Sequence, residues 1–149
     1  MKIFKFGGAS VKDATGVKNV VNVLQQVGHT NTLVVVSAMG KTTNAMEDVV
    51  NAYFNDKAAL PATIQEIVDF HTNILNDLFD NTQHEVYAKV KVLFDEVQGF
   101  LAWNKSPKRS FVYDQVVGYG ELLSTTILNA YLNQVNIQSN WLDVREFIK

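Results

Sequence analysis

Three short segments of this chain combine glycines with charged or hydroxyl side chains, and each could serve phosphate or amino-acid chemistry. The first consists of Lys5, Gly7 and Gly8, at the end of a strand-like alternation. Because glycine has no Cβ atom, the backbone N–H groups of such a turn can approach an anion closely, and the lysine adds a positive charge beside them. An ordinary strand-to-helix turn beside a surface lysine explains the same residues, and spacing alone slightly favours it.

The second segment, residues 37–44, is a hydroxyl-rich loop between a buried strand and a helix. Its Gly40-Lys41-Thr42 triplet is similar to the end of a phosphate-binding P-loop. However, Val35 stands where the motif G-x-x-x-x-G-K-[ST] requires its first glycine. A P-loop-like nucleotide binder is therefore a weak alternative, and capping of the next helix by the hydroxyls is the structural one.

The third segment, residues 118–125, places two glycines in a stretch of helical pattern. Each glycine costs about 1 kcal/mol relative to alanine in a helix, so both need a reason. One reason is close packing between helices. The other is the close approach of a ligand beside Glu121, with Ser124 and Thr125 on the same face of the helix. The sequence leaves both possibilities open.

Elements that could position these segments alternate between strand and helix. Residues 2–6 alternate as a strand does, and Ser10 is predicted to cap the first helix, which ends at Gly28. The uninterrupted apolar run of residues 33–36 predicts a central parallel strand that is covered on both faces. In such a sheet, chemistry lies at the carboxyl ends of the strands.

The rest of the chain predicts a helix-rich middle and one late strand. Helices are expected over residues 45–55, 62–79 and 83–103, with a further helix from Pro107 to about Tyr131 and a third strand over residues 138–144. The fold class is therefore α/β.

Composition excludes several classes of protein and site. The chain has 149 residues, 47% of them hydrophobic and 19% charged, with a net charge of −2 and no cysteine. Disulfides and cysteine-ligated metals are therefore excluded. There is no basic stripe for a nucleic acid, no apolar run of ~20 residues for a membrane and no signal-peptide core, so we expect a cytoplasmic protein without nucleic-acid or membrane partners.

The three histidines do not predict a metal site. His29, His71 and His84 lie on a turn and two expected helices, and no spacing typical of metal ligands links them. We therefore expect ordinary surface or capping residues.

Together, the three segments resemble the aspartate kinases, a branch of the amino acid kinase family. Residues 5–11 are similar to the family's K-F-G-G-[TS]-S-V opening, residues 34–44 to its V-V-x-S-A-x-x-x-x-T-N loop, and residues 120–124 to its G-E-x-x-S segment. Residues 142–145 resemble the strand near the end of the family's substrate-binding half. The order and spacing match over essentially the whole chain.

This resemblance implies a parallel-sheet α/β sandwich of the amino acid kinase type. Residues 1–149 would be its helix-rich, N-terminal, substrate-binding portion, with the nucleotide lobe and the regulatory domains absent. The implied reaction transfers a phosphoryl group from ATP, with Mg²⁺, to the β-carboxylate of L-aspartate. The product, 4-phospho-L-aspartate, serves lysine, threonine and methionine biosynthesis.

The resemblance also implies a role for each matched residue. Lys5 would stabilise the transferring phosphoryl group, and Gly7 and Gly8 would present N–H groups to it. Ser37 and Thr43 would contact aspartate, and Glu121 would receive its ammonium group.

Two departures limit these implications. Ala9 replaces the hydroxyl residue that is usual in the family, and the chain has no room for two full lobes. We therefore expect the chain alone to fold without catalysing the reaction, and to self-associate as a homo-oligomer. A noncatalytic interaction module is the remaining alternative.

Overall fold

The computed structural model describes residues 1–148, which form two strands, six α-helices and short 3₁₀ turns at Gly8–Val11 and Val144–Glu146. In chain order the main elements are β1 (Lys2–Phe6), α1 (Ala14–Val27), β2 (Thr32–Val36), α2 (Thr42–Asn55), α3 (Leu60–Leu78), α4 (Glu85–Trp103), α5 (Arg109–Val116) and α6 (Tyr119–Gln134). None of these helices is long and apolar enough to cross a membrane.

The two strands pair in parallel, as the sequence predicts, and α1 provides the crossover between them. Lys2 lies opposite Thr32, and Phe6 lies opposite Val36. Since both strands run in the same direction, their carboxyl ends meet at one edge of the sheet. The loops that carry the first two segments therefore begin side by side.

The prediction that β2 is covered on both faces is wrong for the described part of the chain. Val36 is buried and Val34 packs against the core, but Leu33 and Val35 on the other face are 37% and 43% exposed. Ile3 of β1 is exposed on that same face. An apolar run of β-branched residues predicts a strand, but it does not determine which elements are present to cover its two faces.

The first helix begins later than predicted, and Ser10 is not its cap. Residues 8–11 form a 3₁₀ turn, and the carboxylate of Asp13 caps α1 by accepting a 2.8 Å hydrogen bond from the Gly16 N–H. A carboxylate at this position also interacts favourably with the helix dipole. The end of the helix is as predicted, because Gly28 adopts a φ of 86°.

Later boundaries differ from the sequence predictions in three places. Helix α2 begins at Thr42 and not at residue 45, and the helix expected from Pro107 is divided at residues 117–118 into α5 and α6. The strand expected over residues 138–144 does not form among the described residues. A strand requires hydrogen bonds to a neighbouring strand, whereas Trp141 here donates its indole N–H to the Thr125 hydroxyl at 2.8 Å.

The core lies between the packed face of the sheet and the inner faces of the helices. Helix α1 contributes side chains at helical spacing, including Val17, Val20 and Leu24, and α6 contributes Leu123 and Ile127. Helix α6 packs against β2, α2 and α4, so it joins the sheet to the helical layer.

The prediction for the histidines is right for two of them and wrong for the third. His29 is exposed, and His84 caps α4 by accepting a hydrogen bond from the Val86 N–H. His71 is fully buried in α3, where the rings of Phe70 and Phe94 pack edge-on against it.

The hydrogen-bond partner of His71 determines which ring nitrogen of the neutral side chain carries the proton. Its Nδ1 lies 2.8 Å from the Ile67 carbonyl oxygen, which can only accept, so Nδ1 carries the proton. Its Nε2 has no hydrogen-bond partner among the described residues. Desolvation lowers the pKa of His71, and the hydrogen bond to Ile67 opposes this shift with a smaller effect.

We predict that His71 makes the folded chain less stable as the pH falls. In the unfolded chain the histidine pKa is near its ordinary value of 6.5, and in the folded chain it is lower. Between these two values the unfolded state binds the extra proton. The contribution of His71 to the free energy of unfolding is therefore highest above pH ~6.5, and it decreases as the pH falls towards the folded pKa.

Urea unfolding at about pH 7.5 and about pH 5.5 measures this effect. His71→Met should reduce the loss of stability on acidification, whereas His29→Gln, at an exposed position, should leave it unchanged. An equal loss in the parent and in His71→Met would contradict the prediction.

Candidate functional site

The loops after β1 and β2 are joined by backbone hydrogen bonds at the carboxyl edge of the sheet. The Ser37 N–H donates to the Phe6 carbonyl at 3.0 Å, and the Gly40 N–H donates to the Gly8 carbonyl at 3.0 Å. The first two segments singled out in the sequence therefore form one continuous structure.

This contact requires glycine at position 8. A Cβ atom on Gly8 would lie 2.7 Å from the Ala38 carbonyl oxygen and 2.8 Å from that of Gly40. Both neighbours are backbone atoms that cannot rotate away. Gly40 itself has a φ of 55°, a left-handed conformation that suits glycine.

The third segment meets the same loop through Gly120. A Cβ atom there would lie 2.9 Å from the Ala38 Cβ and 3.4 Å from the Thr42 Cγ2, whereas Gly118 has open space around its Cβ position. Close packing therefore accounts for Gly120. We call Gly8, Ala38, Gly40 and Gly120 the glycine junction, because all three segments meet there.

The glycine junction brings the predicted site residues to one edge of the sheet. Lys5 is exposed one residue before the end of β1, and the exposed Gly7 follows that strand. Ser37 directly follows β2, Thr43 lies in the first turn of α2, and Glu121 lies in the first turn of α6, next to Gly120. Cation and N–H donors thus lie at the sheet, and hydroxyls and a carboxylate lie at the starts of two helices.

Some hydroxyls near the site are already hydrogen-bonded to backbone carbonyls, whereas other polar groups there are available to a ligand. The hydroxyl of the buried Thr42 donates to the Met39 carbonyl at 2.6 Å, and the hydroxyls of Ser124 and Thr125 donate to the Glu121 carbonyl. These three hydroxyls stabilise the local backbone. Within residues 1–148, the hydroxyls of Ser37 and Thr43 make no hydrogen bond, and neither Lys5 nor Glu121 forms an ion pair. The site therefore keeps two hydroxyls and two opposite charges available to a ligand.

Two residues near this site were missed at the level of sequence. The Tyr113 hydroxyl on α5 donates a 3.0 Å hydrogen bond to Glu47 Oε1 on α2, from 66 positions away. That hydrogen bond is the largest cause that raises the pKa of Tyr113, followed by the charge of Glu47, and the carboxylates of Asp114 and Glu121 also contribute. No local spacing connects these residues, so only the packing of α5 on α2 reveals them.

The described residues contain no cluster of protein side chains that could hold a metal ion without a substrate. In this part of the chain no three Asp, Glu or His side chains come together as a set of metal ligands.

Comparison with known proteins gives consistent matches along the chain. The model of the amino acid kinase family matches residues 1–149. The bifunctional aspartokinase/homoserine dehydrogenase 2 of Escherichia coli (strain K12) is 26% identical over 148 residues, which are 99% of this chain and 18% of that protein.

Two solved structures share the fold. Escherichia coli aspartokinase III in complex with lysine and aspartate superimposes with a TM-score of 0.81 at 24% identity, over 97% of this chain and 32% of that one. The same enzyme in complex with aspartate and ADP gives a TM-score of 0.79 at 25% identity, over 97% and 31%. These matches confirm the expected fold class, and they show that the chain spans about a third or less of its matched relatives.

We predict that Gly8→Ala destabilises the fold far more than Gly7→Ala. The added methyl group at position 8 would overlap two carbonyl oxygens, which should lower the free energy of unfolding by about 1–3 kcal/mol. Gly7 is the matched control, because its φ is −78° and no atom lies within 4 Å of its Cβ position.

Chemical unfolding of the two variants and the parent checks this prediction. Gly7→Ala should stay within about 0.5 kcal/mol of the parent. Equal stability of Gly8→Ala and Gly7→Ala would show that the junction tolerates a side chain.

Proposed function

The chain belongs to the amino acid kinase family, and from that membership we propose that it is the substrate-binding portion of an aspartate kinase. The proposed reaction transfers the γ-phosphoryl group of ATP to the β-carboxylate of L-aspartate and forms 4-phospho-L-aspartate. The observation that carries the proposal is the glycine junction, which gathers the three aspartate-kinase-like segments at one edge of the sheet. The aspartokinase relatives support the same assignment.

Lys5 and the adjacent glycine turn are proposed to act on the phosphoryl group. Phosphoryl transfer depends on positioning and on neutralising negative charge more than on a strong base. Lys5 is exposed and free of any ion pair among the described residues, so its charge is available to the transferring group. Gly7 and Gly8 are proposed to add backbone N–H donors beside it.

Ser37, Thr43 and Glu121 are proposed to hold aspartate. The two hydroxyls lie at the end of β2 and the start of α2, where they can donate to substrate carboxylates. Glu121 offers a carboxylate to the substrate ammonium, and such a charge-assisted pair is stronger than a neutral hydrogen bond. Opposite charges on Lys5 and Glu121 thus match the two ends of an amino acid that is being phosphorylated.

We further propose ATP as the phosphoryl donor, with Mg²⁺, and a cytoplasmic role in lysine, threonine and methionine biosynthesis. The ADP-bound aspartokinase III with the same fold supports the use of ATP. The nucleotide lobe and regulatory domains are proposed to lie outside residues 1–149, and the protein is proposed to be a homo-oligomer. The P-loop-like and noncatalytic alternatives are not favoured, because the relatives are aspartokinases.

We predict that Lys5→Ala lowers kcat much more than it changes the KM for aspartate. Because the charge acts on a group that becomes more negative during transfer, kcat should fall about 100-fold or more. The measurement is a coupled ADP-release assay on the protein expressed to the natural stop codon of its gene. Lys18→Ala, at an exposed position of α1, is the control that should keep parental kinetics. Near-normal turnover of Lys5→Ala would remove Lys5 from the mechanism.

We predict that Glu121→Gln weakens discrimination between aspartate and succinate, which lacks the ammonium group. The amide keeps the shape of the carboxylate but loses its charge, so the preference should fall by about 1.5–3 kcal/mol. Competition by succinate in the same assay measures this preference. Glu66→Gln, at an exposed position of α3, should retain it in full. If Glu121→Gln also retained it, the assignment of Glu121 would be wrong.

A further inference from the structure

Helix α5 is attached to α2 by two polar contacts, one helical turn apart. At one level the Tyr113 hydroxyl donates to Glu47 at 3.0 Å. At the next level the Arg109 guanidinium donates to Asn51 and lies over the ring of Phe54, 5.9 Å from its centroid. Because the partners are spaced by four residues on each helix, the contacts form successive rungs between two helix faces.

The Tyr113–Glu47 rung is the one nearer to the proposed aspartate site. Glu47 lies one turn after Thr43 on α2, so the two share a helix face. Tyr113 lies on α5, which leads through residues 117–118 directly into α6 and Glu121. The carboxylate of Glu121 contributes to the raised pKa of Tyr113, which is consistent with their proximity.

Helix α6 is held along its inner face, where it packs against β2, α2 and α4, and Glu121 lies at its exposed N-terminal end. Its first turn touches the rest of the site at Gly120, which packs against Ala38 and Thr42. The turn before this contact, residues 117–118, joins α6 to α5, and α5 in turn packs against α2. In that turn no atom lies within 4 Å of the Cβ position of Gly118, so packing against Gly118 does not hold the turn in place.

We propose that Tyr113 is a positioning residue for the aspartate site, because its hydrogen bond to Glu47 holds the α5–α6 turn against α2. Together with the packing of Gly120 against Thr42, this bond sets the separation between Glu121 and Thr43. The inference rests on the proposed function, in which those two residues hold aspartate. It goes beyond that function by identifying a pair that tunes affinity for the amino acid without touching the phosphoryl group.

The position of the pair determines which kinetic constant it affects. Loss of the Tyr113–Glu47 hydrogen bond should weaken the binding of aspartate equally in the ground state and the transition state. Such a loss raises KM without lowering kcat. In Tyr113→Phe and in Glu47→Ala, the KM for aspartate should rise about 3- to 10-fold. The KM for ATP and kcat should stay within about twofold of the parent.

Three further variants separate the hydrogen bond from other effects, in the protein expressed to the natural stop codon of its gene. Glu47→Gln keeps an oxygen that accepts from Tyr113, so its KM should stay near the parental value. The Tyr113→Phe/Glu47→Ala double variant should be no worse than either single variant, since both remove the same bond. Tyr87→Phe is the matched control, because the Tyr87 hydroxyl on α4 donates to Asn76 on α3 at 2.8 Å, and this pair lies on neither α2 nor α5.

The test measures the KM for aspartate, kcat and thermal unfolding of each variant. A parental KM in Tyr113→Phe, or an equal rise in KM in Tyr87→Phe, would overturn the positioning role and leave the proposed function standing. An equal rise in Glu47→Gln and Glu47→Ala would also overturn it, since charge and not the hydrogen bond would then be responsible. A parent protein that does not phosphorylate aspartate would overturn the proposed function, and this inference with it.

Discussion

The organisation of the site depends on one close backbone contact, at which Gly8 meets the loop after β2. The Gly40 N–H donates to the Gly8 carbonyl, and a Cβ atom on Gly8 would lie within 2.8 Å of two carbonyl oxygens. Parallel pairing of β1 and β2 brings the two loops to the same edge, but only the absence of a side chain lets their backbones touch. The first turn of α6 joins the same contact through Gly120. The three segments whose residues could take part in catalysis or binding therefore share one junction.

The helical layer makes this junction possible, since glycine and alanine bury little apolar surface themselves. Val17, Val20 and Leu24 on α1 and Leu123 and Ile127 on α6 are buried, and burial of such side chains is the main favourable term in folding. Helix α6 belongs both to the core and to the site, because its inner face packs in the core while its first turn carries Glu121. The stable core thus holds an edge at which Lys5 and Glu121 stay exposed to solvent.

The distribution of charge at this edge fits the proposed chemistry. Positive charge and N–H donors lie at the sheet, where a phosphoryl group would be transferred. Carboxylates lie on the helices beside it: the hydrogen bond to Glu47 raises the pKa of Tyr113 most, and the charges of Glu47, Asp114 and Glu121 add to this. A zwitterionic amino acid needs both regions. The packing of α5 on α2 would then control how precisely the second region faces the first.

The sequence by itself determined the local elements and the three segments of the site. Alternation and glycine breaks predicted β1, and Gly28 correctly ended α1, because these signals act within a few residues. It did not determine the cap of α1, the exposed face of β2 or the absence of a strand over residues 138–144. The last two depend on which elements lie alongside, and a strand has no local means of supplying its own partner. The burial of His71 and the Tyr113–Glu47 hydrogen bond likewise arise between residues that are distant in the chain. Tertiary structure decided them, because only helix packing brings such groups within hydrogen-bond distance or removes them from water.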